Sequence, residues 1–304
     1  MKTLLTGASG FVGSQLSNRL EGVICTVRKN EKHSFSDFLE VESIDGLTEW
    51  GSNLDDVDTI VHLAGVAHTP TANIPYLRAV NYDGTLHLAN NAVRAGVKRF
   101  VFVSSIGVNG TATYESPFKY DSLPNPHNAY AQSKYDAECG LKKIADETGL
   151  EVVIVRPTLV YGSEAPGSFG MLTKLVNKLP FLPFGLTNNR RDFIAVQNLA
   201  DLLVTCATHP AAAGHTFLAS DGETVSIKQF TNAIADGLGK KVIQLPVPVS
   251  VMRLLGKLTG KSAMIEQLYG NLEVDSSNIK EVLGWTPPLT MKQAMSTLCD
   301  SGVK

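Results

Sequence analysis

Residues 4–13 read LLTGASGFVG: an apolar run that ends at a glycine, then glycines again at 10 and 13. Beyond them Val12, Leu16 and Leu20 recur at a spacing of four, as on one face of a helix. Gly7, Gly10 and Gly13 therefore fall where a buried strand turns into a helix. A turn this tight needs residues that tolerate positive φ, an approaching pyrophosphate needs bare backbone N–H groups, and close helix–strand packing needs a small third residue. The spacing is G-x-x-G-x-x-G rather than G-x-G-x-x-G, and glycines also make ordinary turns. Its place directly after the first strand makes a dinucleotide cofactor the better reading, with Ser9, Phe11 and Val12 lining the same turn.

Outward from this turn the pattern repeats. TLLTGA (3–8), GVICTV (22–27), DTIVHLAG (58–65), RFVFVSS (99–105) and EVVIVRP (151–157) are short apolar runs that suit strands buried on both faces. Between them, TLHLANNAVRAG (85–96) and SKYDAECGLKKIADETG (133–149) read as helices closed by glycine. This alternation predicts an α/β fold, a Rossmann-type doubly wound parallel sheet over residues 1–160. After residue 160 the pattern loosens into Gly- and Pro-rich loops such as YGSEAPGSFG and LPFLPFG. Residues 161–304 are expected to form a smaller C-terminal substrate-binding domain, with a segment near 190–215 returning to the Rossmann core.

Composition bounds the function. The 304 residues are 43% hydrophobic, enough for a substantial core, and 27 basic against 29 acidic side chains leave a net charge of -2. That overall balance gives no footprint for nucleic acid or an anionic membrane, so neither is expected as a partner. The N-terminus lacks a signal-peptide core and no apolar run reaches the length of a membrane helix, which suits a cytoplasmic protein. Four scattered cysteines without a CxxC read as buried thiols in a reducing compartment, and no metal site is expected.

Two local features carry chemistry. The second strand ends in CTVRKN (25–30), where an NAD-selective site usually presents an acid to the adenosine ribose. Here Arg28 and Lys29 follow instead. A guanidinium matches a 2'-phosphate in charge and shape, favouring NADP(H) with NAD(H) possible; a solvated basic turn is the plainer alternative. In NAYAQSKYDAE (128–138), Tyr130 and Lys134 stand four apart and share one helix face. Alone, that pair also fits a solvated surface. Ser104 and Ser105 lie upstream at the end of a predicted parallel strand, the edge where such sheets bind ligands.

With these in place the sequence resembles the extended short-chain dehydrogenases/reductases, and within them the nucleotide-sugar epimerases, dehydratases and 4-keto reductases. TGASGFVG, VHLAG, VNYDGT, RFVFVSSIGVNG, YAQSK, RPTLVYG and RRDFIAVQNLADLL occur in that family's order and spacing. The resemblance implies Ser105, Tyr130 and Lys134 as the catalytic residues. It places Leu63, Ala64, Gly65, Asn81, Ser104 and Pro157 around the cofactor and Asp45 near its adenine. A histidine beside the sheet, such as His62 or His68, is in this family usually packing. On the substrate side it implies Ile106, Gly107, Ser168 and Phe169, with Arg191 on the diphosphate of a UDP-sugar. Leu159 departs from the pattern, since many relatives carry an asparagine there.

The chemistry expected is transfer of a hydride at C4 of a nucleotide sugar. Arg28 favours an NADPH-dependent 4-keto reductase of a UDP-2-acetamido-2,6-dideoxy-hexulose in surface-polysaccharide sugar synthesis. The alternative is a UDP-glucose or UDP-N-acetylglucosamine 4-epimerase with retained NAD, because the same three residues serve both. A dehydratase would need further acid–base residues beside the serine, and a non-catalytic cofactor sensor would not need all three. A homodimer is implied by resemblance only.

Overall fold

Leu4 and Leu5 are neighbours in the first strand and both are fully buried, each in a different apolar core. Successive strand residues face opposite sides of a sheet, so this sheet is covered on both faces. The structure is a computed structural model that describes residues 1–67 and 73–299. The strands are β1 (Thr3–Thr6), β2 (Val23–Arg28), β3 (Phe38–Val41), β4 (Thr59–His62), β5 (Arg99–Val103), β6 (Glu151–Pro157), β7 (Leu159–Tyr161), β8 (Phe181–Leu182), β9 (Phe193–Ala195), β10 (Thr216–Ala219) and β11 (Ile243–Gln244). Seven of them form the main sheet in the order β10-β6-β5-β4-β1-β2-β3. Every pairing in it is parallel.

The helices are α1 (Phe11–Ser17), α2 (Ile74–Arg78), α3 (Thr85–Ala95), α4 (Ala129–Thr148), α5 (Gly167–Lys178), α6 (Val196–Thr208), α7 (Ile227–Gly237), α8 (Val249–Leu258), α9 (Ser262–Tyr269), α10 (Ser277–Leu283) and α11 (Met291–Ser296). Helices α3 and α4 both stop at glycines, Gly96 and Gly149, whose φ values of 77° and 78° favour a residue without a side chain. Helix α4 starts earlier than its apolar pattern predicts. The Asn128 side chain accepts from the Ala131 N–H and caps it there, which brings Tyr130 into the first turn.

Strand order reverses at β1, which pairs with β2 on one side and β4 on the other. That reversal opens a crevice at the carboxyl ends of β1 and β4. Two strands of the main sheet lie outside the sequence expectation. β3 is an edge strand with Phe38 and Glu40 exposed, so it lacks the continuous apolar run of a central strand. β10 is a four-residue edge strand on the other side. It makes the segment that joins the main sheet longer than 190–215: α6 packs against α1, and residues 216–219 pair with β6.

Much of the second half gathers around its own core, where Tyr161, Phe169, Phe193 and Phe230 meet, the last two stacked with ring centroids 3.7 Å apart, while Ile279, Leu283 and Trp285 return to the core of the main sheet. Of the cysteines, Cys25 and Cys206 are buried whereas Cys139 and Cys299 are exposed, correcting the expectation that all four are internal. Cys139 faces outward because α4 buries the side that carries Lys134, Glu138 and Leu141. Among the described residues, no helix is long and apolar enough to cross a membrane, and no group of three or more His, Cys, Asp or Glu could hold a metal ion.

Candidate active site

The glycine turn and the end of β4 are in direct contact. Gly7 has a φ of 72°, and a Cβ there would sit 2.9 Å from the Ala64 nitrogen. At Gly13 a Cβ would come within 2.1 Å of the Gly7 carbonyl oxygen. Both glycines are therefore dictated by packing of the turn on β4 and on itself, leaving a bare backbone rim at the crevice. Ser9 and Gly10 on that rim are exposed, while Phe11 and Val12 are half-buried.

Four elements converge on the crevice. Ser105 follows β5 and caps a short 3-10 turn, its Oγ accepting from the Gly107 N–H at 3.1 Å. The Ser105 hydroxyl is close enough to the Tyr130 phenol to favour its ionised form. Burial pushes the Tyr130 phenol up to about 12, with Ser105 working against that rise. Lys134, one turn along α4, is 3% exposed and its Nζ donates to the Val103 carbonyl at 3.0 Å. Burial brings Lys134 down to about 8, with the Glu138 carboxylate holding it up. The pair quoted from the sequence is thus not a solvated helix face.

The β4 end completes the cluster. A Cβ on Gly65 would lie 3.1 Å from both Lys134 Nζ and Asn81 Oδ1, so the bare glycine leaves the ammonium room at the crevice. Asn81 sits in a π-helical turn, Ala79–Gly84, of the kind that collects at functional sites. Its side chain accepts from the Val66 N–H at 2.8 Å, and donates to the Val66 carbonyl at 3.1 Å and to Ser133 Oγ at 3.0 Å. Asn81 therefore ties the β4 loop to α4.

Several residues sit otherwise than a ligand contact requires. The Ser104 Oγ donates to Glu138 inside the protein. Ile106 is buried with Leu218, Leu272 and Val274, and the Phe169 ring is 1% exposed in the C-terminal core. Contact from Ile106 or Phe169 is left to their main chains. His62 is fully buried between Thr6 Oγ1 at 2.7 Å and Thr85 Oγ1 at 3.0 Å, and burial lowers it to about 3. It is a neutral packing group. His68 lies outside the described residues.

Pro157 is buried at the end of β6, and the half-buried Leu159 pairs with Phe193 in the β7–β9 ribbon. Ser168 is half-buried in the first turn of α5. Asp45 holds the Leu47 N–H at 2.8 Å and the Ser43 hydroxyl at 2.7 Å. Arg191 is 8% exposed and donates from one guanidinium nitrogen to the Gly270 carbonyl at 3.0 Å. Burial pushes it down to about 10, while Asp192 opposes the shift. Residues 271–275 run from beside Arg191 to the loop after Ser105, through bonds from Thr113 to Asn271 and from Phe118 to Glu273.

Two features escaped the sequence reading. One is a buried network in which Glu138 accepts from Arg156 and Ser104, and Arg156 also donates to Asn109 Oδ1 at 3.0 Å. The i, i+4, i+8 spacing of Tyr130, Lys134 and Glu138 was its available signal. The other is Glu31. Its carboxylate accepts from Ser9 Oγ at 2.8 Å and from the Arg28 N–H at 3.1 Å, and lies 3.5 Å from the Arg28 guanidinium. An acid therefore does reach the glycine turn, from three residues beyond the strand end, where a strand-based search stops. Lys29 instead pairs with Glu42 at 3.1 Å.

A nicotinamide dinucleotide fits these residues: the turn leaves no space for side chains at Gly7 and Gly13, and Gly65 opens the crevice beside Lys134. A profile of the NAD dependent epimerase/dehydratase family matches residues 3–220. A UDP-glucose 4-epimerase of Vibrio cholerae is 41% identical over 95% of this chain and 92% of its own. A GDP-6-deoxy-D-mannose reductase of Pseudomonas aeruginosa is 25% identical over 98% and 95% of the two chains. The fold matches that of a UDP-glucose 4-epimerase from Thermotoga maritima solved with UDP-glucose, with a TM-score of 0.77, 21% identity and coverage of 99% and 98%. With 218 consecutive residues covered by the profile, this chain belongs to the NAD dependent epimerase/dehydratase family and is an enzyme of the extended short-chain dehydrogenase/reductase class.

Proposed function

We propose that the chain is an NADPH-dependent reductase of a 4-keto nucleotide sugar, a UDP-2-acetamido-2,6-dideoxy-hexulose. The observation that carries the chemistry is the buried Lys134 ammonium, fixed by the Val103 carbonyl one turn along α4 from Tyr130, with the Ser105 hydroxyl acting on the phenol. Ser105 orients the keto oxygen and Tyr130, neutral at physiological pH, gives it a proton. A reduced nicotinamide dinucleotide, which the glycine turn and the crevice beside Gly65 and Lys134 would hold, would supply the hydride to C4. Lys134 then stabilises the phenolate left on Tyr130, and a low-dielectric setting strengthens that attraction.

Arg28 supports the reductase reading, because its side chain is 70% exposed and its guanidinium lies 3.5 Å from Glu31, a pair from which it can turn to a 2'-phosphate. Arg191 is assigned to the diphosphate through its other N–H groups, Gly270 holding the guanidinium in place. Leu159 removes the amide that many relatives use there, which leaves more of that task to Arg191.

A second reading, a UDP-sugar 4-epimerase with retained NAD, is favoured by two observations. Glu31 bonds to Ser9 on the glycine turn, where a carboxylate can accept from ribose hydroxyls. The Vibrio cholerae relative is also named as a UDP-glucose 4-epimerase. The experiment is to incubate the protein with a UDP-4-keto-6-deoxy-N-acetylhexosamine and follow NADPH absorbance, with NADH in parallel and UDP-glucose or UDP-GlcNAc plus NAD as a control. Stoichiometric NADPH loss is expected. Interconversion of a control sugar at constant cofactor, with no NADPH loss, would replace the reductase by the epimerase.

A further inference from the structure

Helix α8 has two apolar faces, and only one is covered. Val249 and Met252 pack on the C-terminal core, and the buried Gly256 lets Ile265 of α9 approach so closely that a Cβ would lie 2.8 Å from it. On another side, Val251, Leu254, Leu255 and Leu258 recur at i, i+3, i+4 and i+7, so they form one stripe along the helix. Their exposures are 43%, 57%, 48% and 75%. A covered helix shows its stripe to the core, whereas this one shows a second stripe to solvent. Just upstream, Phe181 and Ile243 are register partners of the β8–β11 ribbon and both are more than half exposed.

Charge identifies the occupant. The chain is net -2 overall, yet residues 237–265 contain Lys240, Lys241, Arg253, Lys257 and Lys261 and not one Asp or Glu. All five are exposed. Arg253 is paired with Glu266 at 2.8 Å, while Lys257 and Lys261 flank the C-terminal end of the stripe. An even overall balance, which spoke against a membrane, thus conceals a segregated basic and apolar segment. Leucines on one face with lysines beside them is the pattern of a helix that lies in the plane of an anionic bilayer.

We propose that α8 is a membrane-docking surface, which lays Leu254, Leu255 and Leu258 into the interfacial layer of an anionic phospholipid bilayer while Lys257 and Lys261 meet its headgroups. This docking is peripheral and independent of the reaction assigned above.

The test is co-sedimentation of the full chain with phosphatidylglycerol-containing vesicles and with vesicles of phosphatidylcholine alone. Binding to the anionic vesicles is expected, at least about tenfold weaker on the neutral ones and weakened by about 0.5 M salt. The Leu254→Asp/Leu258→Asp variant should lose it. Each of Lys257→Gln and Lys261→Gln should weaken it about fivefold. These side chains are on the surface, so unchanged thermal unfolding and turnover will show that the variants fold. Wild-type protein that stays in the supernatant with anionic vesicles, or a double leucine variant that binds as well as wild type, overturns the proposal. So does light scattering without lipid that finds a wild-type dimer and a monomeric leucine variant, which would assign the stripe to self-association.

Discussion

Glu138 stands one helical turn beyond Lys134, and its buried carboxylate both pairs with Arg156 and holds the neighbouring ammonium in its charged form. The relationship ties a deep ion pair to the chemistry at the crevice. Removing the charge in Glu138→Gln should therefore act at two levels. Arg156 is left without its counter-ion, and breaking a buried pair costs about 3–5 kcal/mol, visible as a lower Tm. In the protein that still folds, Lys134 falls below about 8, because the one influence raising it is gone. The alkaline limb of kcat should move to lower pH. A variant that loses stability with an unmoved pH profile would confine Glu138 to a structural role.

On the proposed mechanism Tyr130 and Lys134 should set the pH dependence of the wild type. Burial keeps Tyr130 a phenol up to about 12, so a proton donor is present throughout the neutral range. Lys134 loses its proton above about 8, and with it the charge that stabilises the developing phenolate. Reduction should therefore be level between about pH 6 and 8 and decline above, as kcat against pH would record. Tyr130→Phe should lower kcat by about 10²–10⁴-fold with little change in Tm, since it deletes one hydroxyl and leaves Ser105 its bond from Gly107. Residual activity near wild type would remove Tyr130 from the reaction.

Cofactor choice rests on a competition between neighbours. On the proposed reading Arg28 would attract a 2'-phosphate, and Glu31, bonded to Ser9 and 3.5 Å from the guanidinium, would repel it. Arg28→Asp should raise KM for NADPH about tenfold or more while leaving NADH less affected. Glu31→Gln should shift preference in the opposite direction, toward NADPH. Steady-state kinetics with both cofactors reads the two ratios. If Arg28→Asp leaves the NADPH to NADH ratio unchanged, the phosphate assignment fails.

How far the fold was legible follows from what each residue does. Central strands such as β1, β4 and β5 are buried on both faces, so their apolar runs stand out in the sequence; β3 carries Phe38 and Glu40 into solvent and leaves no such run. Tyr130 and Lys134 were visible because i and i+4 share a helix face. The partners of Glu138 were not, because Arg156 and Ser104 come from other elements, 18 and 34 residues away. Ile106 and Phe169 were expected at the substrate because their stretches flank the site, but apolar side chains next to a core are drawn into it. Glu31 lay past the strand end, and only the turn of the chain back to Ser9 reveals it.

Glycine provides the last prediction, through a contrast between two positions. Gly96 has a φ of 77° and nothing within 4 Å of an added Cβ, so Gly96→Ala meets only the backbone cost of a left-handed residue, about 1 kcal/mol. Gly13 lies within α1 and has no such strain, but an added Cβ would meet the Gly7 oxygen at 2.1 Å and the Ala8 Cα at 2.7 Å. Both obstacles are backbone, which cannot swing aside as a side chain would. Helix α1 would have to move off the turn, and α6, packed against it, would have to follow. Gly13→Ala should therefore cost about 3 kcal/mol or more and weaken dinucleotide binding, measured by thermal unfolding with and without cofactor. Gly96→Ala should lower Tm modestly and keep the full cofactor-induced rise. Equal losses in both variants would mean that the glycine turn is selected for backbone freedom alone and not for the closeness of α1 to β1.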